Sequence, residues 1–152
     1  MKKWLHALVT GASVVAAVTL PANSASAAGD DSVLRNAKSS ACLRDPGPRY
    51  KLASGSCGSD AVWHRIPVSN NRYMLQNVST GRCMDTNGTD LYMSSCSSAD
   101  SGQRWISFDS FHSWQAANGK VLVQWDTYVV GLSAIDDIDD SRKYSWTNTF
   151  SM

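Results

Sequence analysis

Glutamate is absent from this 152-residue chain, and all 13 acidic residues are aspartate. Aspartate belongs to turns and caps, whereas glutamate is the better helix former, so this bias argues against a helical protein. Clusters of Gly, Ser and Asn, as at 54–58 and 94–98, point the same way. We therefore expect an all-β domain.

The chain also lacks an excess of charge and a second long apolar run. Without Lys2 and Lys3, which lie in the leader described below, 12 basic residues face 13 acidic ones. That balance provides no basic field for nucleic acid or an anionic membrane. No apolar stretch after the leader is long enough to span a bilayer. The sequence predicts neither a nucleic-acid partner nor membrane insertion.

Catalytic and metal-binding patterns are missing as well. Only His64 and His112 lie outside the leader, and no Ser-x-Gly elbow, HExxH motif or Cys-His pair frames either of them. The gaps between the four cysteines are 15, 26 and 13 residues and contain no CxxC pair, which disfavours zinc. We expect no enzyme activity, no metal and no cofactor.

A leader opens the chain. A basic start precedes an apolar run over 8–20, and small residues at 25 and 27 match the signal-peptidase pattern. We predict a signal peptide over 1–27 and a secreted, extracellular protein, with a leader style that favours a bacterial source. An uncleaved membrane anchor is the alternative. Removing 27 of the 152 residues leaves 125, enough for one domain over 28–152.

Cysteine usage agrees with export. All four cysteines follow the leader, at Cys42, Cys57, Cys83 and Cys96. An even number in a small secreted domain predicts two disulfides, while spacing alone leaves three connectivities open.

The mature chain repeats itself with a period of about 41 residues. An offset of 41 places 34–36 on 75–77 and Cys42 on Cys83. Three tryptophans follow the same period, since they are separated by 42 and 41 residues: Trp63, Trp105 and Trp146. Three such units fill the 125 residues, which predicts a threefold repeat around one shared core.

Each repeat, called an arm below, reads as four short strands separated by turn signals. In the second arm the strands are expected around Tyr73-Met74-Leu75, Arg82-Cys83-Met84, Leu91-Tyr92-Met93 and Arg104-Trp105-Ile106. We expect the three arms to cover about 33–70, 71–111 and 112–152. The sequence thus predicts about twelve strands.

The second arm resembles a known family. Cys83-Met84-Asp85, Cys96 and Gln103-Arg104-Trp105 look like one arm of a ricin B chain-like β-trefoil, with its Cys-apolar-Asp opening and closing Gln-x-Trp. The resemblance covers 33–150 and is weakest in the third arm, so the chain is identified as a degenerate secreted member. It implies a β-trefoil whose disulfides lie within arms, as Cys42–Cys57 and Cys83–Cys96.

The third arm has Val121 where the family has a cysteine, so it is expected to have no disulfide. We expect this arm to rely on packing of Trp114, Trp125 and Trp146. It should therefore be the first arm to open on heating.

Members of the family mostly bind sugars, and the resemblance implies at most one site here, in the second arm. Asp85 and Gln103 match the family's carboxylate and amide, whereas Ser94 stands at its aromatic position. Tyr92 lies two residues earlier on the same strand face and is the candidate stacking ring. The alternatives are a turn-forming role for Asp85 and a purely structural strand position for Tyr92.

The other two arms depart from the family's sugar-binding pattern. In the first arm Asp45 falls one place late, and Gly55 and Ala61 replace the aromatic and the Gln. In the third arm Val123 and Tyr144 stand at the carboxylate and Gln positions. Neither arm is expected to hold a sugar.

The sequence therefore predicts a secreted carbohydrate-binding, lectin-like module with at most one glycan site, a weak one in the second arm. The alternative is a secreted protein-binding trefoil that serves as adaptor or accessory subunit of a toxin or enzyme complex. The acidic run over 136–140 and the aromatic-rich stretch over 111–125 are candidate surfaces for such a partner. A solvated loop and core packing are the respective alternative interpretations.

Overall fold

A computed structural model of the protein describes residues 31–69, 71–108, 112–126 and 128–150. The predicted leader over 1–27 and Phe111 of the aromatic-rich stretch lie outside these ranges. Within the described ranges, no helix is long and apolar enough to cross a membrane.

The described residues form twelve antiparallel strands, as the repeat predicted. The strands are β1 (Asp31–Asn36), β2 (Cys42–Arg44), β3 (Ala53–Gly55), β4 (Val62–Ser69), β5 (Arg72–Asn77), β6 (Arg82–Thr86), β7 (Leu91–Ser95), β8 (Trp105–Phe108), β9 (Ser113–Gln115), β10 (Val121–Gln124), β11 (Val130–Ser133) and β12 (Trp146–Phe150). Short 3-10 turns, such as Ser101–Gln103 in the second arm, interrupt the loops.

Six of the strands follow one another around the molecule in the order β12, β1, β4, β5, β8 and β9. The backbone N–H of Trp146 donates to the carbonyl of His112 at 2.6 Å, which joins the start of β12 to the residue before β9. The other six strands form three hairpins, one in each arm: β2–β3, β6–β7 and β10–β11. The arms therefore share one strand plan.

The threefold repeat is most direct in the tryptophans that close each arm. Trp63, Trp105 and Trp146 are fully buried. Each indole Nε1 donates to a backbone carbonyl at the start of the hairpin in its own arm: to Leu43 at 2.9 Å, Met84 at 3.0 Å and Leu122 at 3.1 Å. All six side chains belong to one hydrophobic core. The 41-residue period thus marks residues that meet in the core.

A second repeated feature is the turn that precedes each hairpin. Its last residue has a positive φ in every arm, at Ser40 (61°), Gly81 (68°) and Gly119 (84°). This left-handed conformation costs L-residues energy but suits glycine. Two arms use glycine, and the first arm holds serine in the same strained place. The turn is therefore dictated by the fold more than by local preference.

Both disulfides lie within arms, as Cys42–Cys57 and Cys83–Cys96. In the third arm Val121 is buried at the corresponding position, and Trp114 and Trp146 pack in the core as expected. The expectation that Trp125 packs there was wrong, since its side chain is 43% exposed. It follows the last residue of β10, where the chain turns out of the sheet.

Candidate functional site

The three residues predicted for the sugar site lie together in the second arm. Asp85 in β6 is directly opposite Tyr92 in β7, so their side chains share one face of the hairpin. Asp85 is buried, whereas Tyr92 is 38% exposed. Gln103 ends the 3-10 turn Ser101–Gln103, which packs against β6, and it is buried too.

Ser94 connects the two buried members of this set. The Ser94 hydroxyl donates to Oδ2 of Asp85 at 2.5 Å, and Nε2 of Gln103 donates to Oγ of Ser94 at 2.7 Å. Gln103 also bonds the backbone on both sides of Cys96, donating to the carbonyl of Ser95 and accepting from the N–H of Ser97. The serine at the family's aromatic position therefore bridges Asp85 and Gln103 in a buried network.

The turn-forming alternative for Asp85 is not what the structure shows. The tip of the β6–β7 hairpin is instead organised by Asn87, whose Oδ1 accepts from the backbone N–H groups of Thr89 and Asp90 at 3.0 and 2.8 Å. Asp85 faces inward, and its Oδ1 has no hydrogen-bond partner within the described part of the chain. A Cβ atom added at Gly102 would overlap this oxygen, so Gly102 covers it closely.

A cleft of about 370 Å³ opens above this network. Asn87 and Tyr92 line it from the hairpin, Asp100 and Gly102 from the 3-10 turn, and Asn118 from the third arm. We call it the side cleft. It brings the predicted Tyr92 together with two amides and a carboxylate that the sequence did not single out.

The side cleft has an acidic character. Burial raises the pKa of Tyr92 above its usual value, and the negative charges of Asp85 and Asp100 raise it further. Tyr92 is therefore a protonated phenol at neutral pH, able to donate a hydrogen bond. No Lys or Arg is among the described residues that line the side cleft.

In the first arm an ion pair fills the position that corresponds to Asp85. Arg44 occupies the place of Asp85 and donates to the Asp60 carboxylate from Nε at 2.9 Å and from a terminal nitrogen at 2.5 Å. The next residue, Asp45, is fully buried and accepts from Thr80 and Arg82 of the second arm. The prediction that this arm lacks the family's sugar site stays a prediction.

The third arm has an apolar residue in the place of Asp85, since Val123 is fully buried there. A smaller cleft of about 290 Å³ nevertheless lies beside it, lined by Gln124 and Trp125. Gln124 accepts a hydrogen bond from Ser39 of the first arm at 2.9 Å. Lys143 places its ammonium 5.9 Å from the centre of the Trp125 ring.

Two carboxylates of the acidic run over 136–140 form local ion pairs. Asp139 pairs with Lys143 at 2.5 Å, and Asp140 pairs with Arg142 and Lys38 at 3.0 and 3.3 Å. Hydrogen bonds from Arg142, and then the contact with Lys38, hold the pKa of Asp140 well below its usual value. Within the described ranges, no group of three or more His, Cys, Asp or Glu side chains is arranged to hold a metal.

No protein-family model matches the sequence, and no curated protein matches it. Solved structures do match its fold. The designed threefold-symmetric protein ThreeFoil matches with a TM-score of 0.67 at 16% identity, over 78% of this chain and 96% of its own. SeviL, bound to asialo-GM1 saccharide, matches with a TM-score of 0.65 at 12% identity, over 81% and 98%.

A chain of the cytolethal distending toxin from Actinobacillus actinomycetemcomitans also matches, with a TM-score of 0.63 at 18% identity, over 77% of this chain and 88% of that one. At such identities the likeness shows the fold. The protein is thus a β-trefoil of three repeats with two disulfides inside its arms, and the predicted fold class is confirmed.

Proposed function

We propose that this chain is a secreted carbohydrate-binding module whose sugar site is the side cleft of the second arm. One observation carries the proposal: the exposed face of Tyr92 stands beside the Asp100 carboxylate and the Asn87 amide in one open cleft. A sugar has a polar rim and an apolar C–H face, so this combination suits both of its surfaces. The saccharide bound to the similar SeviL supports the proposal.

Secretion is part of the proposal and rests on two features. Residues 1–27 match the pattern of a signal peptide. Both disulfides fit an oxidising compartment, because cytosolic proteins rarely keep such pairs.

Within this site the three predicted residues have different roles. Tyr92 contacts the sugar and provides the stacking face. Asp85 and Gln103 form the layer beneath, because their bonds with Ser94 hold the hairpin against the 3-10 turn. This arrangement departs from the family pattern, in which the carboxylate accepts directly from sugar hydroxyls. Asp100 supplies the acceptor at the cleft surface.

The charge of the side cleft selects the class of sugar. Asp100 lines the cleft, the buried Asp85 lies below it, and no described Lys or Arg lines it. An anionic sugar would place its carboxylate against these groups, and the ammonium of Lys120, which donates to the carbonyl of Gly88 at 3.1 Å, offsets the two negative charges only in part. We therefore expect neutral sugars to bind better than sialylated or uronic ones.

We expect titration of the protein with galactose or N-acetylglucosamine, followed by NMR, to show binding in the millimolar range, since the site is single and shallow. Tyr92→Ala should weaken this binding about two- to twelvefold, because an aromatic contact contributes roughly 0.5–1.5 kcal/mol. Tyr128→Ala is the matched control, since Tyr128 is exposed and does not line the side cleft.

A broad glycan array with no bound sugar would contradict the proposal. So would a Tyr92→Ala variant that binds as the parent does. Because Tyr92 is exposed, its replacement should leave the unfolding temperature nearly unchanged, which separates lost contact from lost folding.

A second candidate function is favoured by the third hairpin. Trp125, Tyr128 and Val129 are exposed around its tip, and we call them the third-hairpin patch. Exposed aromatic and aliphatic side chains of this kind are enriched in the centres of protein interfaces. The match to a toxin chain supports an accessory role in a complex.

Under this second candidate, affinity capture from the culture fluid of the producing cells returns one protein in stoichiometric amount. Val129→Asp should abolish the capture, because it places a charge in the apolar patch. Tyr92→Ala is the control and should leave capture unchanged. Repeated recovery of the monomer alone would contradict this function.

A further inference from the structure

A second and larger cleft lies on the other side of the same hairpin tip. Its volume is about 580 Å³, and all three arms contribute to it. The first arm supplies the loop over 48–52, the second arm supplies 89–93, and the third supplies Val130 and Gly131 of β11. We call it the three-arm cleft.

Tyr92 lines both the side cleft and the three-arm cleft. The tip of the β6–β7 hairpin contributes to both clefts. Asn87 and Gly88 line the side cleft, whereas Thr89 and Asp90 line the three-arm cleft. Tyr92 is therefore the residue that the two cavities share. A ligand longer than one sugar unit can touch both sides of it.

The three-arm cleft has a second aromatic platform. Tyr50 is 67% exposed, and a hydrogen bond from its backbone N–H to the carbonyl of Gly47 at 3.0 Å holds its loop. Leu91 and Met93 provide apolar surface in the same cleft, while Lys51 and Asp90 provide polar groups. Two tyrosines and polar groups in the lining of one cleft match a chain of pyranose rings, in which C–H faces and hydroxyl rims recur.

The charges in the three-arm cleft are balanced. Arg82 lines it but donates to the buried Asp45 carboxylate, so its charge is already paired. Lys51 and Asp90 then contribute one positive and one negative group. Like the side cleft, this cavity favours a neutral glycan over an anionic one.

We propose that the site takes a neutral oligosaccharide of two or more units, which lies across Tyr92 from the side cleft into the three-arm cleft and stacks there on Tyr50. This inference rests on the proposed sugar site and extends it. The volume of the side cleft is near the lower end of the usual range of about 300–1,000 Å³ for ligand sites, so a glycan of several units extends beyond it. Contacts in the second cleft then add affinity without a second independent binding event.

The test is a chain-length series with the intact protein. Galactose and N-acetylglucosamine are compared with their β-linked di-, tri- and tetrasaccharides by NMR titration and calorimetry. We expect affinity to rise about tenfold or more from the single sugar to the trisaccharide for the matching series. Chemical-shift changes should spread from the signals of Asn118 and Gly102 to those of Leu52 and Gly131.

Two variants show which cleft produces the rise in affinity with chain length. Tyr50→Ala should remove most of the gain with chain length and leave single-sugar affinity unchanged, whereas Tyr92→Ala should weaken both. Tyr128→Ala, which alters an equally exposed tyrosine that lines neither cleft, should change neither.

Equal affinity for single sugars and oligosaccharides would overturn the extended site and leave the proposed function standing. Undiminished chain-length gain in Tyr50→Ala would do the same. Absence of binding by every sugar in the series would overturn both proposals. A protein segment bound in the three-arm cleft of a captured complex, with no effect of Tyr50→Ala on glycans, would assign that cleft to the protein-binding function.

Discussion

Replacing Trp105 by phenylalanine lowers the free energy of unfolding by about 2–4 kcal/mol. Trp105 is fully buried in the core, and its Nε1 donates to the carbonyl of Met84 at 3.0 Å. Phenylalanine leaves a cavity where the second ring was, and it removes the donor from a buried carbonyl. Urea unfolding followed by circular dichroism measures the change.

The threefold repeat supplies internal comparisons for this prediction. Trp63→Phe and Trp146→Phe should have losses of the same size, because both indoles are equally buried and donate to equivalent carbonyls. Trp125→Phe is the control and should change stability by less than about 0.5 kcal/mol, since Trp125 is exposed. A core variant that is as stable as Trp125→Phe would contradict the assignment of the closing tryptophans to the core.

The sequence predicted the framework of this fold because the framework repeats. A fold with three equivalent arms places the same chemistry at intervals of about 41 residues, so Trp63, Trp105 and Trp146 report their shared role by spacing alone. The disulfide pairing was different. It depended on the family resemblance, since spacing left three connectivities open, and the structure confirms it.

The side cleft was harder to predict because its walls come from distant parts of the chain. Asn118 of the third arm faces the second-arm hairpin and donates to the carbonyl of Gly88 at 2.9 Å, a contact that spans 30 residues. Asn87 and Asp100 perform ordinary turn and cap roles, since each side-chain oxygen accepts from the backbone N–H two residues further on. Nothing in their spacing distinguishes a cap that lines a cleft from one that faces open solvent.

The burial of Asp85 could not be predicted from its own position, because it depends on the side chains around it. A family carboxylate is expected at the surface, but Ser94 accepts a bond from Gln103 and donates to Asp85, so it completes an internal chain. A bulky aromatic at position 94 could not make these bonds. With serine at this position, Tyr92 is the exposed aromatic ring of the proposed site.

The first and third arms show two different ways of losing such a site. In the first arm Arg44 replaces the acidic group and pairs with Asp60, which occupies the place of Gly102. In the third arm Val123 removes the polar group altogether. Each replacement keeps the hairpin packed, which explains how the fold survives in arms that do not match the sugar-binding pattern.

Removing the second-arm disulfide by Cys83→Ala together with Cys96→Ala should lower the free energy of unfolding by about 3 kcal/mol. The bond closes a loop with a sequence separation of 13 residues, so its loss frees the unfolded chain. The cost extends to the proposed site, since this loop contains most of the β6–β7 hairpin, including Tyr92. Glycan affinity should fall with stability.

The first-arm pair provides the matched comparison. Cys42→Ala together with Cys57→Ala opens a loop with a separation of 15 residues, so the expected loss of stability is nearly the same. Its hairpin does not line the side cleft, and single-sugar affinity should stay at the parent level when measured well below the unfolding temperature. Equal losses of affinity in the two double variants would contradict a second-arm site. A loss confined to the Cys83–Cys96 variant ties sugar binding to the hairpin that this disulfide holds.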